Sequence, residues 1–221
     1  MDSMKDLNET KRVVIVGHVD HGKSTVIGRM MYELDQVQDG KYEELKAISE
    51  KRGMSFEWAF LMDALQTERN QGITIDTTQI FFKTKKKNYV FIDAPGHKEF
   101  LRNMVTGASS ADIAILIVDV KEGIREQTRK HGYILKLLAV KQVIILVNKM
   151  DKVNYQEKKF KQVEVNLEKY LALININSET IIPISAKEGD NIKELSLKMK
   201  WYNGFSLVDS LDNYNTSTDL S

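Results

Sequence analysis

The sequence predicts a doubly wound α/β fold with a mostly parallel sheet. Four short runs are almost continuously apolar and rich in β-branched residues, as is typical of strands buried on both faces of a parallel sheet. These runs are residues 13–16, 90–92, 113–118 and 143–147. The longer stretches between them repeat apolar residues at helical spacing. Alternating strands and helices imply right-handed crossovers, which place helices on both faces of the sheet.

The helices and one hairpin follow from local patterns. Two amphipathic helices are indicated by the apolar sets Leu135, Leu138 and Ala139, and Phe160, Val163, Leu167, Tyr170 and Leu171. The segments 77–84 and 88–93 are strand-like, and the three lysines between them predict an antiparallel edge hairpin with a charged tip. Residues 40–70 form a charged helical insertion, with Trp58, Phe60, Leu61 and Leu65 as candidate buried side chains.

Composition excludes several classes of protein. The 221 residues include 32 basic and 31 acidic side chains, so the net charge of +1 gives no support for a general nucleic-acid-binding surface. The chain has no cysteine, which excludes disulfides and thiolate metal sites. Its longest apolar runs are far shorter than the roughly 20 residues of a membrane span, and its start lacks the apolar core of a secretory signal. We therefore expect a cytoplasmic protein that does not act at a membrane.

A phosphate-binding motif follows the first strand. The segment GHVDHGKST fits the pattern GxxxxGK[ST]. In this pattern the loop amides surround the β-phosphate, the lysine reaches the β- and γ-phosphates, and the serine hydroxyl binds Mg²⁺, while the next helix adds its positive N-terminus. The predicted phosphate-binding residues are Gly17, His18, Val19, Asp20, His21, Gly22, Lys23, Ser24 and Thr25. The fold class is thus a P-loop NTPase, a three-layer α/β/α sandwich with six strands.

Residues for the metal and for catalysis follow the third predicted strand. Asp93 ends that strand and is expected to hold Mg²⁺ through water, while the Gly96 N–H would meet the γ-phosphate. His97 comes next and is positioned to orient the attacking water, because an imidazole can donate a hydrogen bond to that water or accept one from it. The alternative for His97 is a cap on the following helix.

Two later motifs indicate which base is bound. Asn148, Lys149 and Asp151 belong to an NKxD motif after the fifth strand. The Asp151 carboxylate can accept hydrogen bonds from guanine N1–H and its amino group, whereas adenine offers no such pair. Asn148 would brace the loop, and the stem of Lys149 would lie over the ring. A second motif, Ser185, Ala186 and Lys187, follows another strand, and its Ala186 N–H can serve the guanine oxygen. The predicted nucleotide is GTP.

Together these motifs resemble the GTPase domain of the translation-factor superfamily over about residues 11–208. The resemblance rests on GHVDHGKST, ERNQGITID, DAPGH and NKMD. It implies that Thr74 is the switch threonine, which binds Mg²⁺ in the GTP state, so that His97, Lys23 and Thr74 form the catalytic set. It also implies that Val19 and Ile73 flank His97.

Two branches of the superfamily compete. The helical insertion is similar to that of elongation factors of the 1A type, which deliver aminoacyl-tRNA. The segments DALQTERNQGITID, RNMVTGASS, EGDNI and MKWYNG resemble more closely the GTPase subunit of bacterial sulfate adenylyltransferase. We therefore expect the latter: a subunit that hydrolyses GTP to drive adenosine 5'-phosphosulfate synthesis by a catalytic partner. The elongation factor and an uncoupled GTP-binding remnant are the alternatives.

The predicted domain organisation has three parts. An N-terminal tail covers residues 1–11, the GTP-binding domain covers 12–208, and a polar C-terminal tail covers 209–221. In both branches two β-barrel domains follow the GTPase domain, and the sequence stops at Ser221 before them. Whether the chain is a fragment or a natural short form is left open.

Overall fold

The computed structural model describes residues 10–70, 79–93, 111–137, 140, 142–176 and 178–213. The strands are β1 Thr10–Gly17, β2 Gln79–Lys83, β3 Asn88–Asp93, β4 Ile113–Asp119, β5 Gln142–Asn148 and β6 Ser178–Pro183. The helices are α1 Lys23–Glu33, α2 Lys41–Lys51, α3 Trp58–Asn70, α4 Glu126–Leu137, α5 Glu157–Leu173 and α6 Leu207–Asp212. Strands and helices alternate as the sequence predicts.

The six strands form one sheet in the order β2-β3-β1-β4-β5-β6. Every neighbouring pair among these strands is parallel except β2 and β3, which pair antiparallel. Thr84 builds the hairpin tip, because its N–H donates to the Lys87 carbonyl and its hydroxyl accepts from the N–H groups of Lys86 and Lys87. The predicted fold class, with a mostly parallel six-stranded sheet and an edge hairpin, is confirmed.

Helices cover both faces of the sheet because side chains alternate along its strands. On β1, Val13 and Ile15 join a buried cluster with residues of α1 and α6, whereas Val14 and Val16 join a second cluster with residues of α4 and α5. The central strands β4 and β5 are buried along their whole length. The chain therefore has the predicted three layers, and the carboxyl ends of β1, β3, β4, β5 and β6 meet at one edge of the sheet.

The helical predictions agree with the packing. All five predicted apolar residues of α5 are buried: Phe160, Val163, Leu167, Tyr170 and Leu171. In the insertion, Trp58 and Leu61 are buried and Phe60 is half-buried, while the Leu65 side chain lies outside the described part of the chain. Leu135 is buried on α4, and Leu138 and Ala139 lie outside the described residues.

Two predicted boundaries of the domain, after residue 11 and after residue 208, fall inside regular elements. β1 begins at Thr10, and the predicted polar tail from residue 209 starts inside helix α6. Asp212 is buried there, because its Oδ1 accepts hydrogen bonds from Thr84 Oγ1 at 2.6 Å and from the Tyr89 hydroxyl at 3.0 Å. Burial, followed by the charge and the hydrogen bond of Asp212, raises the pKa of Tyr89. Polar residues at this end of the chain are thus part of the packed domain.

Candidate nucleotide-binding site

The glycine-rich motif forms a tight loop between β1 and α1. After Gly17 the chain makes a 3-10 turn at Val19–His21, and Gly22 precedes the first residue of α1. The Lys23 ammonium group donates to the Gly17 carbonyl at 2.8 Å and to the His18 carbonyl at 3.3 Å. Ser24 and Thr25 follow in the first turn of the helix, where backbone N–H groups lack partners within the helix. Loop amides, helix N-terminus and Lys23 thus create a site suited to phosphate.

Gly22 is required by both its conformation and its surroundings. Its φ of 93° lies in the left-handed region that L side chains rarely adopt. A Cβ atom at this position would lie 2.6 Å from Nδ2 of Asn148. The phosphate loop is therefore in direct contact with the NKxD motif.

Asn148 joins the three predicted loops through one buried side chain, which is 2% exposed. Its Nδ2 donates to the His21 carbonyl of the phosphate loop at 2.8 Å. Its Oδ1 accepts from the Lys149 N–H at 2.7 Å and from the Ala186 N–H at 3.0 Å. The Asn148 side chain thus connects the three loops, and a guanine oxygen bound at Ala186 would have to share the Ala186 N–H with Asn148 Oδ1.

Asp151 faces the second base motif. Its Oδ1 accepts from the Ser185 hydroxyl at 2.7 Å, which leaves Oδ2 for N–H donors of a base. Ser185 closes its own loop, because its carbonyl accepts from the N–H groups of Gly189 and Asp190. The Lys187 side chain is exposed, whereas its backbone carbonyl accepts hydrogen bonds from the side chains of Arg29 and Trp58. Asp151 and the loop of residues 185–187 are thus positioned together.

Lys149 forms an ion pair with Asp119, a residue that the sequence motifs did not indicate. Its φ is 67°, and its Nζ lies 2.8 Å from Oδ2 of Asp119 at the end of β4. Burial raises the pKa of Asp119, but hydrogen bonds from Lys149 and from the Lys121 N–H, with the charge of Lys149, outweigh burial and leave the pKa below its ordinary value. The signal available in the sequence was a carboxylate at the carboxyl end of an apolar run.

The His21 side chain points away from the mouth of the phosphate loop. Its ring is fully buried, with Nδ1 3.1 Å from the Ile117 carbonyl and Nε2 3.3 Å from Oε2 of Glu122. Any phosphate contact at this position would therefore come from the backbone. Asp20 is exposed, and its N–H lies 3.5 Å from Nδ1 of His18.

Several predicted residues lie beyond the described parts of the chain. Thr74, Gly96 and His97 fall outside the described residues, as does Ile73, and of Asp93 and Val19 only the backbone is described. Asp93 is the last residue of β3, whose register sets it beside Ile15 on the neighbouring β1. Ser24 lies in the helix that follows β1, and Asp93 ends the strand paired with β1, so both residues follow neighbouring strands at the carboxyl edge of the sheet. Hydroxyl and carboxylate oxygens are donors that suit Mg²⁺.

The described residues hold neither a self-sufficient cluster of metal ligands nor a membrane-spanning helix. They contain no group of three or more histidine, cysteine, aspartate or glutamate side chains able to hold a metal ion by themselves. Within the same ranges no helix has both the length and the apolar character needed to span a bilayer.

Known proteins are similar to this chain in sequence. The family model of the Elongation factor Tu GTP binding domain matches residues 8–216. Elongation factor 1-alpha of Thermococcus celer is 46% identical over 200 residues, which cover 90% of this chain and 46% of that protein. Elongation factor 1-alpha of Pyrococcus furiosus is 44% identical with the same coverage. The chain thus spans about half the length of these curated relatives.

Solved structures support the fold. The structure of sup35 complexed with GDP has a TM-score of 0.66 at 24% identity and covers 96% of this chain and 47% of that one. The GTPase-like domain of S. cerevisiae Ski7 bound to GTP has a TM-score of 0.71 at 20% identity, with 95% and 51% covered.

These relatives favour the elongation-factor alternative over the sulfate adenylyltransferase subunit that the sequence segments led us to expect. The matched range also contains every predicted site residue. The chain belongs to the Elongation factor Tu GTP binding domain family.

Proposed function

We propose that the protein binds and hydrolyses GTP as the nucleotide-binding domain of a translation factor similar to elongation factor 1-alpha. The observation that carries this proposal is the buried Asn148 side chain, which bonds to the phosphate loop, to the NKxD loop and to Ala186. One side chain thereby sets the distance between phosphate-binding and base-binding groups. A nucleotide can bind both sets of groups only if its base and its phosphates are separated by that same distance.

Recognition of guanine rests on Asp151. Its carboxylate accepts hydrogen bonds from N1–H and the amino group of guanine, and Ser185 restrains it by bonding to Oδ1. Adenine would leave the carboxylate without donors, a loss that discriminates strongly between bases. Lys149, held by Asp119, offers its aliphatic stem as a surface for the ring, and the Ala186 N–H meets the 6-oxygen.

Phosphate binding and hydrolysis rest on the loop and on the switch residues. Lys23 leaves the loop carbonyls to contact the β- and γ-phosphates, supported by the N-terminus of α1. Ser24 and Thr74 would hold Mg²⁺ directly and Asp93 through water; the bound ion neutralises charge on the phosphate oxygens. His97 orients the attacking water, and the Gly96 N–H contacts the γ-phosphate. Because this chemistry is positioning and electrostatics, the domain alone should turn over slowly.

The role of the whole protein separates the two branches. The chain matches elongation factor 1-alpha, and the resemblance to factors of the 1A type implies aminoacyl-tRNA as the partner. The sequence segments that resemble the sulfate adenylyltransferase subunit support a catalytic adenylyltransferase chain instead. In either case the described fold would supply the GTP-controlled step.

Two measurements test the proposal. Labelled GTP should bind the wild type and the control Lys169→Ala, whose side chain is exposed on α5, whereas Lys23→Ala should lose binding. Equal binding by Lys23→Ala would refute the phosphate site. The GTP-loaded protein should then retain aminoacyl-tRNA in a pull-down, and retention of a sulfate adenylyltransferase catalytic subunit instead would select the other branch.

A further inference from the structure

The loop of residues 185–187 is contacted from the helical insertion as well as from Asn148. The Lys187 carbonyl accepts two hydrogen bonds, from Nε1 of Trp58 at 2.9 Å and from Nη1 of Arg29 at 3.2 Å. Trp58 is the first residue of α3, and Arg29 belongs to α1. Side chains from two helices thus donate to the same backbone oxygen, that of Lys187, which follows Ala186 directly in the chain.

Trp58 and Arg29 support each other at this contact. The Arg29 guanidinium lies over the Trp58 ring, with Cζ 4.7 Å from the ring centroid, and its Nε pairs with Oε1 of Glu33 at 2.7 Å. A Cβ atom on Gly189, which has a φ of 84°, would lie 2.3 Å from both Arg29 Nη2 and Glu33 Oε1. The Arg29–Glu33 pair therefore packs against the loop backbone itself.

The Trp58 ring has little freedom to leave this position. It is 7% exposed and stacks on Tyr42 with an interplanar angle of 13° and centroids 5.3 Å apart. Tyr32 and Phe56 contact the same ring at 5.0 and 5.1 Å. This aromatic cluster joins α1, α2 and α3, so the Trp58 N–H is a fixed donor.

We propose that Trp58 and Arg29 are positioning residues for guanine recognition, which hold the Lys187 carbonyl and thereby fix the Ala186 N–H where it meets the 6-oxygen of the base. The inference rests on the proposed function. Asn148 holds the loop from the side of the sheet, and the two helix residues hold it from the side of the insertion. The helical insertion then contributes to base selectivity through Trp58.

The test compares three nucleotides as competitors of a fluorescent GDP analogue. Guanosine diphosphate and inosine diphosphate both carry the 6-oxygen and the N1–H, whereas the diphosphate of 2-aminopurine riboside lacks both and keeps only the 2-amino group as a donor to Asp151. Trp58→Phe keeps an aromatic ring in the cluster but removes the N–H donor together with part of the indole ring. The matched control is Trp201→Phe, because the other tryptophan also donates its Nε1, to the Tyr155 carbonyl at 3.0 Å, and does not contact the 185–187 loop in the described hydrogen bonds.

Trp58→Phe should weaken guanosine and inosine diphosphate about 3- to 10-fold, the equivalent of one hydrogen bond, and leave the 2-aminopurine nucleotide unchanged. Arg29→Lys should show the same pattern and serves as the second variant if Trp58→Phe does not fold, as judged by its thermal unfolding. Trp201→Phe should bind all three like the wild type.

Three outcomes overturn the inference. An equal loss for all three nucleotides would show a general effect on the domain, and unchanged affinities in both variants would show that the contact does not position the loop. In these two cases the wild type still binds GDP and the proposed function stands. Absence of GDP binding by the wild type would refute the proposed function and this inference with it.

Discussion

Replacing Asn148 by alanine tests the junction of the three loops. The substitution removes the hydrogen bonds to the His21 carbonyl, the Lys149 N–H and the Ala186 N–H, all at a side chain that is 2% exposed. Each lost bond costs about 1 kcal/mol net, so the expected destabilisation is about 3 kcal/mol. Domains of this kind are stable by about 5–15 kcal/mol, so the variant should still fold.

Urea unfolding measures this change directly. With a denaturant slope of about 2 kcal/mol per molar, the unfolding midpoint should fall by about 1.5 M. Asn166→Ala, at an exposed position on α5, is the matched control and should change the free energy of unfolding by less than about 0.5 kcal/mol. GTP affinity should fall in Asn148→Ala even where the protein is fully folded. If Asn148→Ala is as stable as Asn166→Ala and binds GTP like the wild type, Asn148 does not hold the three loops together.

Three further predictions concern single sites. Gly22→Ala should lose GTP affinity, because its φ of 93° is strained for alanine and its Cβ would approach Asn148 Nδ2; wild-type affinity would contradict this. Asp119→Asn removes the charge that pairs with Lys149 and should speed GDP dissociation, measured with a fluorescent analogue. An unchanged dissociation rate would show that the Asp119–Lys149 pair does not contribute to base binding. Burial, followed by the charge of Glu164, raises the pKa of Tyr202 to about 12, above the unfolded value of about 10. The stability that comes from the neutral Tyr202 hydroxyl is fully present below about pH 10 and is lost as the pH rises toward about 12. The wild type should therefore lose stability relative to Tyr202→Phe over this range. A constant difference between the two unfolding midpoints would contradict this.

The sheet and the positions of the binding motifs could be predicted because their signals are local. Continuous apolar runs marked β1, β4 and β5, and apolar spacing marked the buried face of α5. Since the carboxyl ends of parallel strands share one edge of the sheet, motifs that follow such strands meet in space.

Features that depend on long-range contacts could not be predicted. Asp212 looks like part of a polar tail, yet it is buried because the hydroxyl groups of Thr84 and Tyr89, more than 120 residues earlier, bond to it. The pairing of Asp119 with Lys149 requires knowing that β4 and β5 are neighbours in register. The same holds for the contact of Trp58 with the Lys187 carbonyl, which joins a helical insertion to a distant loop.

The curated relatives favour the alternative functional reading over the one that the short segments led us to expect. Short segments favoured a sulfate adenylyltransferase subunit, whereas the matches over 200 residues to elongation factor 1-alpha favour a translation factor. The GTP-binding motifs are common to both branches, so they could not separate them.

The most direct test of the central claim is base selectivity in a single carboxylate variant. Fluorescent GDP bound to the wild type should be displaced by GTP and not by ATP or xanthosine triphosphate. Asp151→Asn should reverse the preference toward xanthosine triphosphate, because an amide can donate to the additional carbonyl of xanthine, and Asp39→Asn, at an exposed position, should behave like the wild type. If ATP displaces the probe as well as GTP does, or if Asp151→Asn keeps the preference for guanine, the assembled loops do not form the GTP site that we propose.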